Sequence, residues 1–151
     1  MVERLNGIDG AGSVIKVLIA DDHGIVREGL QRLFANVPDV AVVGSAADGG
    51  EAVALADRTA PDVVLMDVGM PQVDGIEATR RISAAHPTSR IIMLTAHGDR
   101  VRIQDALRAG ASGYLLKDTR ADDVVQAVRE VYAGIAVRCA AGQAGPEDVN
   151  S

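Results

Sequence analysis

The chain of 151 residues has no tryptophan, one phenylalanine (Phe34) and two tyrosines (Tyr114 and Tyr132). So few rings leave no platform on which successive bases could stack. Basic residues are also scarce: 15 Lys and Arg stand against 21 Asp and Glu, for a net charge of -6 and a pI near 4.9. A surface that follows a phosphate backbone needs the opposite balance, so nucleic acid is not expected as a direct partner of this segment. The single cysteine, Cys139, excludes an internal disulfide and a thiolate metal cluster, and it suits a reducing cytoplasm. No apolar run reaches the length of a membrane span, and residues 1–13, MVERLNGIDGAGS, lack the apolar stretch of a signal peptide. They read as a disordered leader.

What remains is an ordinary globular composition, 48% hydrophobic and 24% charged, of a length that fits one domain. From residue 14 to 136 apolar runs alternate with helical patterns. Val14 to Ala20, Val40 to Val43, Val63 to Met66, Arg90 to Leu94 and Tyr114 to Leu116 predict strands. Between and after them, helices are predicted over about Ile25 to Phe34, from Asp48, over Ile76 to Ala84, around Ile103, Ala106 and Leu107, and over Val124 to Val131. Asp48 with Glu51, and Asp74 with Glu77, have the spacing of capping boxes, and Thr119 and Asp122 open the last helix. Five β then α units call for a doubly wound parallel sheet of five strands, flavodoxin-like with order 2-1-3-4-5 and five helices. From residue 137 to 151 the pattern dissolves into Gly, Ala and Pro, as in a linker or a disordered tail.

The stretch DVVLMDVGMP, Asp62 to Pro71, organises the chain. Its unbroken apolar run marks a strand buried on both faces, which puts Asp67 at the carboxyl edge of the sheet, where open α/β folds place ligands. Alone, Asp67 reads equally well as a turn former. Asp21 and Asp22 follow the first strand, Thr95 the fourth and Lys117 the fifth, so three carboxylates, a hydroxyl and an amine converge on that edge. This points to a built site.

Crowded carboxylates repel one another unless a cation intervenes, and magnesium suits an all-oxygen site. Asp21, Asp22 and Asp67 would hold it, with the Gly69 carbonyl as a further ligand on a loop free of side-chain bulk. Asp67 could then act as a nucleophile toward phosphorus, with Lys117 and Thr95 meeting the phosphoryl oxygens.

The segments IADDHGIVREGL (19–30), VVLMDVGMPQVDGIEATRRI (63–82), IIMLTAHGD (91–99) and ALRAGASGYLLKD (106–118) resemble the receiver domains of bacterial two-component response regulators, in the NarL/FixJ (LuxR-type) branch. The resemblance implies that Asp67 is the phosphoacceptor, that Asp21 and Asp22 hold magnesium, that Thr95 and Lys117 contact the phosphoryl group, and that Tyr114 is the switch aromatic. It also implies a sensor histidine kinase as donor, weak self-catalysed phosphorylation and dephosphorylation in place of a true enzyme activity, a cytoplasmic setting, and a homodimer as one outcome of phosphorylation. DNA would be reached only through an output domain, which nothing after Arg138 can form; the tail favours a receiver from a longer regulator over a stand-alone one. Asp118 follows Lys117 where many receivers have proline. His97, two residues past Thr95, lies where it could tune water access, although a loop histidine is more often simply solvated. A haloacid-dehalogenase-type phosphatase is the enzymatic rival, but it wants an acid where this chain has Gly69 and its nucleophile on the first strand.

Overall fold

Apolar runs that do not alternate become strands covered on both faces. They appear as β1 (Ile15–Ala20), β2 (Val40–Ala46), β3 (Val63–Asp67), β4 (Arg90–Thr95) and β5 (Gly113–Leu116). Between and after them run α1 (Gly24–Ala35), α2 (Gly49–Thr59), α3 (Gly75–Ala85), α4 (Arg100–Ala109) and α5 (Ala121–Tyr132). This is a computed structural model, and it describes residues 14–70, 73–96, 100–134 and 137–138. All pairings are parallel, and the five strands lie in the expected order 2-1-3-4-5. A two-residue strand, β6 (Val137–Arg138), extends the sheet beside β5 in a stretch whose composition reads as tail. Most of that tail, Cys139 included, lies outside the described residues, as do the leader and His97.

Successive residues of each strand serve opposite cores. Val17, Ile19, Val63, Leu65, Ile92, Leu94 and Leu115 meet Phe34 of α1 and Val124, Val128 and Val131 of α5. Leu18, Ala20, Val64, Met66, Ile91 and Met93 meet Ala52 and Ala56 of α2, Ala78 and Ile82 of α3 and Ala106 of α4. Burial on both sides leaves β3 no room to slip by one residue, which would send every side chain to the wrong face. The position of Asp67 is fixed by that packing.

The helix starts follow the capping signals in two cases and depart in a third. Asp48 and Asp74 accept from the backbone N–H groups of Glu51 and Glu77 at 2.8 and 2.9 Å. Glu51 reaches back to the N–H of Ala47, one residue before the cap. Thr119, by contrast, does not cap α5: its hydroxyl donates to the Leu116 carbonyl at 2.6 Å and closes the turn after β5, so the helix starts two residues later with Arg120 at the cap. Asp122 and Asp123 then sit in its first turn, where carboxylates oppose the positive end of the helix dipole. Among the described residues no helix is long and apolar enough to cross a membrane.

Two contacts should separate core from surface. Phe34 is fully buried, whereas Asp39 makes a two-pronged bond to Arg129 at 2.9 and 3.0 Å in the open. Phe34→Ala should cost about 3–5 kcal/mol in a urea titration. Asp39→Ala should cost less than about 1 kcal/mol. Because Arg129 holds Asp39 below its ordinary value of 3.8, that small contribution is present above pH 3.8 and lost as the pH falls further.

Candidate functional site

Strand register brings the polar side chains together. Ala20 pairs with Met66, so the next residues, Asp21 and Asp67, stand side by side at the end of neighbouring strands. Asp67 is level with Leu94 and Thr95 with Leu116, so Lys117 follows at the same edge. The ladders continue past the strand ends: Asp21 N–H donates to Ala46, Val68 N–H to Leu94 and Lys117 N–H to Thr95, at 2.9–3.1 Å. Arg27 of α1 adds a 2.6 Å bond to the Asp21 carbonyl. None of these backbones is free to carry its side chain away.

Asp21 is fully buried and Asp67 nearly so, while the Lys117 side chain is 27% exposed. The Lys117 ammonium bridges them, 3.2 Å from Asp21 Oδ2 and 3.2 Å from Asp67 Oδ1. Burial, and then the neighbouring Asp21 charge, raise the Asp67 carboxyl above its ordinary value. The Gly69 N–H, which donates to Asp67 Oδ1 at 3.2 Å, and the Lys117 ammonium pull the other way without cancelling the rise. For Lys117, burial favours the neutral amine, but the charges of Asp67 and Asp21 outweigh it and the net shift is upward. One ammonium thus serves two carboxylates, and the site carries excess negative charge.

The loop after Asp67 is pinned at several points. The Val68 carbonyl accepts from Gly75 N–H at 3.2 Å and from the Arg102 guanidinium of α4 at 2.9 Å. Arg102 also lies 3.8 Å from the carboxylate of Asp74, the cap of α3. At Gly75 a Cβ would overlap the Asp67 carbonyl, and at Gly49 one would overlap the Val73 carbonyl. Both helices start in contact with this loop because these residues have no side chain.

A divalent cation fits here. Asp21, Asp22, His23 and Asp67 each offer a donor atom, all within 4.8 Å of one another. Asp21 Oδ2 is buried without a hydrogen bond; its ammonium neighbour sits at ion-pair distance but outside hydrogen-bond geometry. Among the described residues its charge is met by that ammonium alone, which it shares with Asp67, so the cluster favours a further cation.

The profile of the response regulator receiver domain matches residues 17–129. This chain belongs to the response regulator receiver family. The transcriptional regulatory protein YhcZ of Bacillus subtilis (strain 168) is 45% identical over 120 residues, 80% of this chain and 56% of that protein. Response regulator UvrY of Escherichia coli (strain K12) is 41% identical over 145 residues, 91% of this chain and 66% of its own length. The crystal structure of a LuxR-family two-component response regulator from Aurantimonas sp. SI85-9A1 superposes with a TM-score of 0.78 at 41% identity, covering 85% of this chain and 91% of that one. The relatives are response regulators of the NarL/LuxR type, and the receiver spans about half to two thirds of their length.

Of the residues expected at the receiver's site, Asp21, Asp67 and Lys117 are in direct contact and Asp22 lies beside them on the exposed rim. Thr95 is buried at the end of β4, its hydroxyl donating to the Ala96 carbonyl at 3.2 Å. Tyr114 is half-buried, packed against the core formed with α2, α3 and α4. Gly69 is exposed, and a Cβ there would meet nothing within 4 Å, so space alone does not demand glycine at that position. Four residues passed over in the sequence belong to the site: His23, Gly49, Gly75 and Arg102. The glycines at two helix starts beside acidic caps were the available signal.

Two outcomes test this geometry. Gly75→Ala should displace the Asp67 main chain, lowering both the melting temperature and divalent-cation affinity in calorimetry, whereas Gly69→Ala should fold as the wild type does. Asp67→Asn should raise the melting temperature of the metal-free receiver at neutral pH. A carboxyl raised in the folded state destabilises above its folded pKa and not below the unfolded value of 3.8, so the gain should vanish as the pH falls below that value.

Proposed function

We propose that Asp67 accepts a phosphoryl group from a phosphohistidine of a sensor histidine kinase. What supports this most strongly is the contact of Asp67 with Lys117 and Asp21 at the sheet edge of a receiver fold. A carboxylate oxygen of Asp67 attacks phosphorus, a P–O bond forms, and the P–N bond to the donor imidazole breaks with its electron pair leaving on nitrogen. Such transfers ask the protein mainly for alignment and for positive charge around the equatorial oxygens. Lys117, now shared between two carboxylates, turns its ammonium to the phosphoryl group. Asp21, Asp22, Asp67 and the Gly69 carbonyl would hold magnesium, which would supply charge neutralisation to the oxygens.

The new group brings about two negative charges to a nearly buried position. The Thr95 hydroxyl then turns from Ala96 toward it, and Tyr114 moves into the space released. The face made by α4, β5 and α5 changes its preferred partner, a second receiver among them. In this reading the chain is a regulator and not an enzyme with a turnover substrate, it works in the cytoplasm, and it reaches DNA only through an output domain. The phosphatase alternative fits poorly, because Asp67 ends the third strand and Gly69 stands where a second acid is required.

A small-molecule phosphodonor with magnesium should add one phosphoryl group to the wild type and none to Asp67→Ala, read by intact mass. Lys117→Ala should still bind magnesium in a calorimetric titration yet show no phosphodonor-dependent change in partner binding. Equal incorporation into wild type and Asp67→Ala would remove Asp67 from its role.

A further inference from the structure

His23 lies at the N-cap of α1 in an extended conformation, φ -95° and ψ 113°, yet its side chain makes no capping bond. The ring is turned to the carboxylates. Nδ1 lies 3.0 Å from Asp21 Oδ1 and 3.1 Å from Asp22 Oδ1, and the residue's own N–H donates to Asp21 Oδ1 at 2.8 Å, which fixes the ring's approach. Neighbouring ligands of an octahedral ion with bonds of about 2.1 Å stand about 3 Å apart, so two edges of a coordination polyhedron are already spaced. The full set of four donors spans 4.8 Å, a little more than the roughly 4.2 Å between opposite ligands of such an ion, and needs only a small inward movement. The other Asp21 oxygen, the buried Oδ2, has the Lys117 ammonium at 3.2 Å, so positive charge is already drawn to this carboxylate while Oδ1 faces His23.

We propose that His23 is a fourth protein ligand of the cation site and tilts it toward nitrogen-accepting divalent transition ions, with Mn2+ the first of them, relative to Mg2+. The proposal rests on the reading of Asp21, Asp22 and Asp67 as that site. Carboxylates alone suit magnesium, which takes oxygen donors and keeps its waters. An imidazole nitrogen adds little for magnesium and favours the ions from manganese onward in the divalent affinity series. The side chain of His23 is 63% exposed, so it acts as a ligand at the rim that an incoming ion meets early. Ligation uses the neutral tautomer with its hydrogen on Nε2, which leaves the Nδ1 lone pair for the ion.

The test is an electron paramagnetic resonance titration of the full chain with Mn2+, with Mg2+ affinity measured by competition. Spin-echo spectra recorded with natural-abundance and 15N-labelled histidine should show a histidine nitrogen coupled to bound manganese in the wild type and none in His23→Ala. Manganese affinity should fall about tenfold in His23→Ala and in the polar variant His23→Gln, with magnesium affinity changing less than about twofold. Manganese bound with no histidine coupling, or equal losses for both ions, would overturn the assignment while leaving the carboxylate site intact. A wild-type chain that binds neither ion would remove the carboxylate reading as well.

Discussion

The repulsion between two carboxylates that the sheet does not allow to part is the constraint on which this molecule turns. Asp21 and Asp67 end adjacent parallel strands in register, both out of solvent, with one ammonium between them. An isolated loop carrying either acid would relieve the repulsion by rotating outward. Here the Asp21 main chain is bonded to Ala46 and Arg27, and that of Asp67 is followed at once by the bond from Val68 to Leu94. The apolar packing of β1 and β3 therefore holds an arrangement that is unfavourable in itself, as functional sites commonly do at the expense of stability. What the arrangement gains is a standing preference for whatever brings positive charge: a proton, an ammonium or a metal ion.

Much of this was legible in the sequence because it depends on pattern along the chain. Five apolar runs, the caps at Asp48 and Asp74, and a polar residue after each of four strands suffice to derive the sheet order and the edge where Asp21, Asp67, Thr95 and Lys117 meet. The contacts that escaped join segments far apart. Arg102 reaches the Val68 carbonyl across 34 residues, and nothing in the local pattern of α4 distinguishes it from the other arginines there. Gly75 looks like a turn residue after an acidic cap; only the approach of the Asp67 carbonyl reveals why it carries no side chain. Gly69 misleads in the opposite sense, since a loop glycine suggests a close approach that the open space around it does not require. Thr119 matched the statistics of a helix cap but is used to close a turn, a competing local bond open to any short hydroxyl side chain.

The same tertiary bonds explain how an event at Asp67 can be felt elsewhere. Val68, directly after it, donates to β4 and accepts from α3 and α4, so three elements meet on a single residue. Moving α4 lengthens or breaks the Arg102 bond, and moving the Val68 carbonyl loads the N-terminus of α3, which has no clearance at Gly75. A coupling between two sites needs an element with alternative arrangements that both sites bias. The guanidinium of Arg102 meets the carbonyl of the buried Val68 and has the Asp74 carboxylate 3.8 Å away as a second neighbour. Arg102 thus ties the residue after Asp67 to α4 and lies beside the cap of α3, and because Ala106 anchors α4 in the core shared with α2 and α3, a displacement of this loop is resisted by that packing as well as by the bond.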